Sequence, residues 1–94
     1  MKITRGVRRN DAGKVRKNLV GKRVLQARLR LSPPVTQEDL AGRLAIRGIQ
    51  LDRSAVARIE SGDRYVLDFE LVVLAKALKV TTAFLLGEPR SPLK

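Results

Sequence analysis

The sequence predicts an all-α fold: one compact domain of five short helices. Three observations carry this. Apolar residues recur at three- and four-residue spacing in successive stretches, with no alternating strand pattern. Helix-capping residues and glycines or prolines punctuate those stretches. Only Tyr65, Phe69 and Phe84 are aromatic, so the core must come from Leu, Val, Ile and Ala, which suits packed helices. A length of 94 residues fits one domain with little room for a ligand-sensing module.

The elements follow in order. Residues 1–17 carry no helical stripe and include Gly6 and Gly13, which reads as a flexible basic arm. A first helix is predicted over Lys17 to Leu31, capped by Asn18. Val20, Val24, Ala27 and Leu31 form one apolar face, Leu25 and Leu29 widen it, and Gly21 weakens the first turn. Ser32-Pro33-Pro34 ends it, because proline lacks the N–H donor and restricts the residue before it. Thr36 caps a second helix. Asp39 three residues on approaches a capping box, and Glu38 and Asp39 suit the positive end of the helix dipole. Leu40, Ala41, Leu44 and Ala45 form its buried stripe, and Gly48 stops it. Asp52 caps a third, short helix with Val56 and Ile59 inward, ended by Ser61-Gly62-Asp63. Asp68 caps a fourth, with Leu71, Leu74, Ala75 and Leu78 inward. Thr81 caps a fifth, with Phe84 and Leu85 inward and Gly87 closing it. Residues 89–94, with Pro89 and Pro92, form an irregular tail.

The net charge is +11, and it sits at one end. Residues 1–30 hold eleven Lys and Arg against Asp11 alone, whereas residues 31–94 hold nine bases against eight acids. A solubilising tail can carry such charge. A segment this dense more often has a polyanionic partner, and nucleic acid is favoured over an acidic membrane surface. The expectation is that Arg5, Arg8, Arg9, Lys14, Arg16 and Lys17 track phosphates or enter a minor groove.

Composition argues against several other classes. The chain has no Cys and no His, which removes thiolate zinc sites, the commonest metal ligand and the commonest general base. No metal site and no cofactor are expected. Gly21-Lys22 lacks the Ser or Thr and the preceding strand of a phosphate-binding loop. Glu38 and Asp39 are adjacent, point to different sides of a helix and read as capping residues. An enzyme is not expected. No apolar run approaches the ~20 residues of a membrane span. The basic N-terminus is not followed by the apolar stretch of a secretory signal. The expected location is cytoplasmic, on the nucleoid in a prokaryote.

Helix three is the unusual element. It offers two large apolar residues, while Arg53, Ser54, Ala57 and Arg58 on its outer side are charged or small. That profile suits a helix held by one edge whose other edge enters a groove. Arg bonds guanine bidentately, and small residues let the backbone approach the bases. The same profile suits an ordinary amphipathic surface helix. A helix preceding it at suitable spacing favours the reader.

The run Thr36-Gln37-Glu38-Asp39-Leu40-Ala41 leads a series of motifs. It is followed by Ser54 to Val56, Ile59-Glu60-Ser61-Gly62, Leu74-Ala75-Lys76-Ala77-Leu78 and Leu85-Leu86-Gly87. In this order they resemble the phage-repressor and Cro type of helix-turn-helix domain, the XRE family, over roughly residues 20–88. The resemblance implies a lambda-repressor-like five-helix fold, taken here as residues 18–88, with helices two and three as the helix-turn-helix. It implies phosphate contacts from Gln37 at the start of helix two, where a helix N-terminus favours anions, and from Ser61, Arg64 and Tyr65 after the reading helix. It implies base contacts from Arg53, Ser54, Ala57 and Arg58, with phosphate contacts fixing register. It also implies an orienting pair, Arg28 with Glu60. Two departures stand out. The stretch from Leu40-Ala41 to Ile59-Glu60 is longer than the family spacing, through Ala45 to Leu51, and Pro33-Pro34 lengthens the loop before helix two.

The expected partner is therefore double-stranded DNA, read by a sequence-specific regulator, a repressor by family habit. A homodimer on a palindromic site is expected too, since one short helix carries little specificity and half-sites lie ~34 Å apart. Phe84, Leu86, Pro89 and Leu93 are the candidate dimer contact, with Phe84 more simply core. The alternative is an antitoxin or other protein-interaction module in the same fold. RNA binding through the arm is a weaker option, because single-strand stacking needs aromatic platforms.

Overall fold

The computed structural model describes residues 15–89 and the backbone of Arg8 and Arg9. Five helices form the body: α1 (Gly21–Arg30), α2 (Gln37–Ile46), α3 (Arg53–Ser61), α4 (Asp68–Leu78) and α5 (Thr82–Leu86). Two short antiparallel strands, β1 (Arg8–Arg9) and β2 (Val15–Arg16), precede them, with Arg8 opposite Arg16 and Arg9 opposite Val15. The expected all-α class therefore holds for the body. The strands are an addition that the sequence did not announce, because two-residue strands are too short to show a period of two. Arg5 and Lys14 of the expected arm, and Leu93 of the tail, lie outside the described residues.

The local signals explain where the helices begin. Thr36 Oγ1 accepts from the Asp39 amide at 2.9 Å, and the Asp39 carboxylate accepts from the Thr36 amide at 3.2 Å, closing the capping box of α2. Asp52 caps α3 by accepting from Ala55 N–H at 2.8 Å, and Thr81 caps α5 by accepting from Phe84 N–H at 2.9 Å. Gly48, Gly62 and Gly87 follow α2, α3 and α5 with positive φ, the backbone in which a helix end turns away without steric cost to glycine. Asp68 is not the cap of α4. Leu67 occupies that position, and the Glu70 carboxylate accepts its N–H at 3.0 Å.

Helix α1 starts later than expected, at Gly21 in place of Lys17. Val20, with no side-chain cap bond, takes the cap position expected of Asn18, whose Oδ1 accepts from the amides of Val20 (3.0 Å) and Gly21 (2.8 Å) just ahead of the helix. Gly21 is needed for contact, since a Cβ there would run into the Ile59 carbonyl of α3. Leu25 and Leu29 do not widen the buried face. Both are exposed, and Val24, Ala27 and Arg28 face inward instead. Ala45 is likewise exposed.

The core lies where α1 meets α3, α4 and α5, and where α2 meets α3 and α4. Val24, Leu40, Leu44, Val56, Ile59, Leu74, Leu78 and Leu85 are its fully buried side chains. The longer connection from α2 to α3 packs onto this core. Leu51 is buried, Ile49 is half-buried, and the Ile49 amide donates to the Leu44 carbonyl at 2.9 Å. Phe84 is half-buried against the core.

Candidate nucleic-acid interface

Helix α3 is held by one edge. Val56 and Ile59 are completely buried and Ala55 nearly so. On the other edge Arg53, Ser54 and Arg58 are exposed and Ala57 is half-buried. Arg58 Nη1 donates to Ser54 Oγ at 3.0 Å, one helical turn back, so these two side chains lie together on the outer face. An open groove of about 720 Å³ runs between α2 and α3. Its α2 wall carries Ala41, Gly42 and Ala45, leaving the helix surface low and accessible.

A buried ionic centre fixes α3 against its neighbours. Arg28 of α1 grips Glu60 of α3 with two bonds, Nε to Oε2 at 2.7 Å and Nη2 to Oε1 at 3.0 Å. The remaining guanidinium nitrogen, Nη1, donates to the Val35 carbonyl at 2.9 Å. Gln37, in the first turn of α2, donates from Nε2 to Glu60 Oε1 at 2.9 Å. Three helices thus meet on one carboxylate. The pair expected between Arg28 and Glu60 is present, and Gln37 joins it. Gln37 also lines a shallow hollow of about 550 Å³ with Thr36, Glu38, Arg28 and Arg53, in front of the positive end of α2.

The corner after α3 is built differently from the expectation. Ser61 and Tyr65 are exposed, and Lys17 places its ammonium 5.8 Å from the centre of the Tyr65 ring. Ser61 Oγ is 3.1 Å from the Arg58 carbonyl and 3.2 Å from Asp63 Oδ2. Arg64 is half-buried and engaged internally. Its Nη1 reaches the Tyr65 carbonyl at 2.8 Å and Glu70 Oε1 at 3.0 Å, and its Nη2 reaches Glu70 Oε2 at 3.3 Å. Burial alone would raise the Glu70 pKa, but Arg64 and the Leu67 amide outweigh it and hold that carboxyl below its ordinary value.

Arg16 is also turned inward, its guanidinium against the last carbonyls of α3. Arg5 and Lys14, and the side chains of Arg8 and Arg9, lie outside the described residues. Sequence reasoning missed the larger role of Asn18. Besides accepting from the Val20 and Gly21 amides at the start of α1, it donates from Nδ2 to the carbonyls of Ile59 (3.1 Å) and Arg64 (2.8 Å). Arg43 was missed too, and it ties α2 to α4 by donating to the Ala77 carbonyl at 3.1 Å. Neither partner has a local sequence signal, since each lies more than thirty positions away.

Among the described residues no group of acidic side chains is arranged to hold a metal ion, and no helix is long and apolar enough to cross a membrane. What the geometry defines is a five-helix domain with one edge-held helix on its surface. No protein-family model, no curated protein and no solved structure matches the chain.

Proposed function

We propose that this protein is a sequence-specific DNA-binding regulator, a repressor of the phage-repressor and Cro type, that reads the major groove with α3. The observation that carries the reading is the division of α3 into a buried edge, Val56 and Ile59, and an exposed edge, Arg53, Ser54 and Arg58, with α2 clamped beside it through Gln37 and Glu60. Arg53 and Arg58 supply bidentate donors for base edges, and Ser54 and Ala57 let the helix lie close. Ser61, Tyr65, Lys17 and the positive end of α2 supply phosphate contacts, and the basic residues 1–17 add sequence-independent attraction. Gln37 serves the phosphate from the position that Glu60 holds for it. A homodimer on a palindromic site completes the specificity that one short helix lacks.

In vitro selection of bound DNA from a random pool tests the reading. The expected result is an enriched motif of two related half-sites. An unenriched pool overturns it.

A second reading, a protein-interaction module such as an antitoxin, draws on the exposed apolar residues Leu67, Phe69 and Val72 at the start of α4. A protein partner held by such a face keeps its affinity at high salt, whereas DNA binding weakens steeply.

A further inference from the structure

Helix α4 buries Glu70, Leu74, Ala75, Ala77 and Leu78 and leaves one stripe outside. Asp68, Val72 and Lys76 follow one another along it at four-residue steps, and Phe69 lies beside them. All four are exposed, Phe69 at 55% and Val72 at 43%, and Leu67 just ahead of the helix is exposed too. Apolar surface gathered on one face of a folded domain marks an interaction site. Among the described residues neither Asp68 nor Lys76 makes an ion pair. An acid early in a helix and a base late in it suit the helix dipole. That accounts for the two charges, but not for the phenylalanine and valine exposed between them.

The order of the stripe identifies what covers it. Asp68 and Lys76 stand at equal distances on either side of Val72, about 6 Å along the helix axis. Turned end for end about an axis through Val72, the stripe is its own complement. Asp68 of each copy then meets Lys76 of the other, while Phe69 and Val72 close the centre. A two-fold interface requires this kind of self-complementarity. The other exposed apolar side chains lack it. Leu25 and Leu29 on α1 are flanked by Lys22, Arg23 and Arg30 with no acid in the helix, so two such faces repel. Ile46 stands at the end of α2 beside Arg47. Phe84 and Leu86 of α5 are half-buried against the core of their own chain.

We propose that the exposed face of α4 binds a second copy of this chain, the two α4 helices packing antiparallel about a two-fold axis at Val72. The inference gives the homodimer of the DNA-binding reading a surface, and it moves that surface from α5 to α4. The same axis relates the two α3 helices, as a palindromic site requires. A face of one helix belongs to the small, weak class of interfaces, so dimers are expected at micromolar concentrations and above.

Sedimentation equilibrium without DNA tests the pairing on three samples: the parent chain, Asp68→Lys and Lys76→Asp. Each substitution sets like charges across the axis twice, and each variant alone should dimerise about tenfold or more weakly than the parent. An equimolar mixture of the two variants restores both opposite-charge contacts and should form a mixed dimer at near-parental affinity. A parent chain that stays monomeric at millimolar concentration overturns the proposal and leaves the face to a different protein. Single variants that dimerise as the parent does, or a mixture that stays monomeric, overturn the α4 pairing. If a charge variant does not fold, cross-linking decides. The chain has no cysteine, so Val72→Cys carries a single thiol on the axis. Under mild oxidation it should form a disulfide dimer several times faster than Leu29→Cys, a comparably exposed position on α1. Equal rates overturn the pairing. A random pool that yields no enriched DNA removes the regulator reading and leaves the α4 dimer standing. A monomeric parent that still selects a motif does the reverse.

Discussion

Glu60 accepts bonds from α1 and α2 while standing on α3, and its neighbours leave it almost no contact with water. A carboxylate in that setting is stable only while its partners remain. In Arg28→Ala, Glu60 keeps one neutral donor, Gln37, and the Val35 carbonyl loses its partner. The expected loss is about 3 kcal/mol of unfolding free energy, read from urea denaturation, because breaking a buried pair strands a charge. The double variant Arg28→Ala with Glu60→Ala should lose less than the two single losses combined. An Arg28→Ala chain as stable as the parent would show that the pair orients nothing. Glu70 makes a related prediction for acid. Its folded pKa lies below the ordinary value of 4.5. Its contribution is therefore fully present above that value and is lost as pH falls through the folded pKa. Glu70→Gln should be less stable than the parent near neutrality, with the gap closing as pH drops below about 4.5, and denaturation midpoints taken across pH 3–7 measure it.

At the scale of elements, what was legible in the sequence was what local chemistry decides. Thr36, Asp52 and Thr81 cap the helices they announce, because a cap bonds an amide three residues away. Leu40, Leu44, Val56 and Ile59 are buried where their spacing places them. Leu25 and Leu29 misled because they fit α1 periodicity, yet only the positions of α3, α4 and α5 decide which side of α1 is covered. The orienting pair was legible only through resemblance to a family, and the fork of Arg64 onto Glu70 was not legible at all. Gly21 was read as a propensity defect, whereas its lack of a Cβ lets α1 touch the end of α3. Two glycines separate these effects. Gly21→Ala drives a methyl into the Ile59 carbonyl and should cost about 1–3 kcal/mol, as overpacking does. Gly42 sits inside α2 with open space where a Cβ would go. Gly42→Ala should stabilise by about 0.5–1 kcal/mol, the ordinary gain of alanine over glycine in a helix. Thermal melts of the two variants should therefore move in opposite directions, and equal shifts would mean that α1 and α3 do not meet at Gly21.

Taken whole, the molecule separates attraction from discrimination. The span from Asp52 to Ser61 holds Arg53 and Arg58 against Asp52 and Glu60, so α3 together with its cap carries no net charge, while residues 1–30 carry +10. Under the proposed DNA reading the two parts must fail differently. Arg53→Ala or Arg58→Ala should cost about 1–3 kcal/mol on the preferred site and relax the base preference at one position. Affinity for unrelated DNA should fall much less, by no more than one phosphate-strength interaction. Removing residues 1–14 should weaken selected and unrelated DNA alike and flatten the salt slope by about 0.9 for each phosphate lost. Titrating the three variants against both DNAs at several salt concentrations gives the answer. If an α3 substitution weakened both DNAs equally, Arg53 and Arg58 would be serving phosphates, and selectivity would have to come from elsewhere in the fold. If removal of the basic segment changed the selected motif itself, that segment would be reading groove shape or bases.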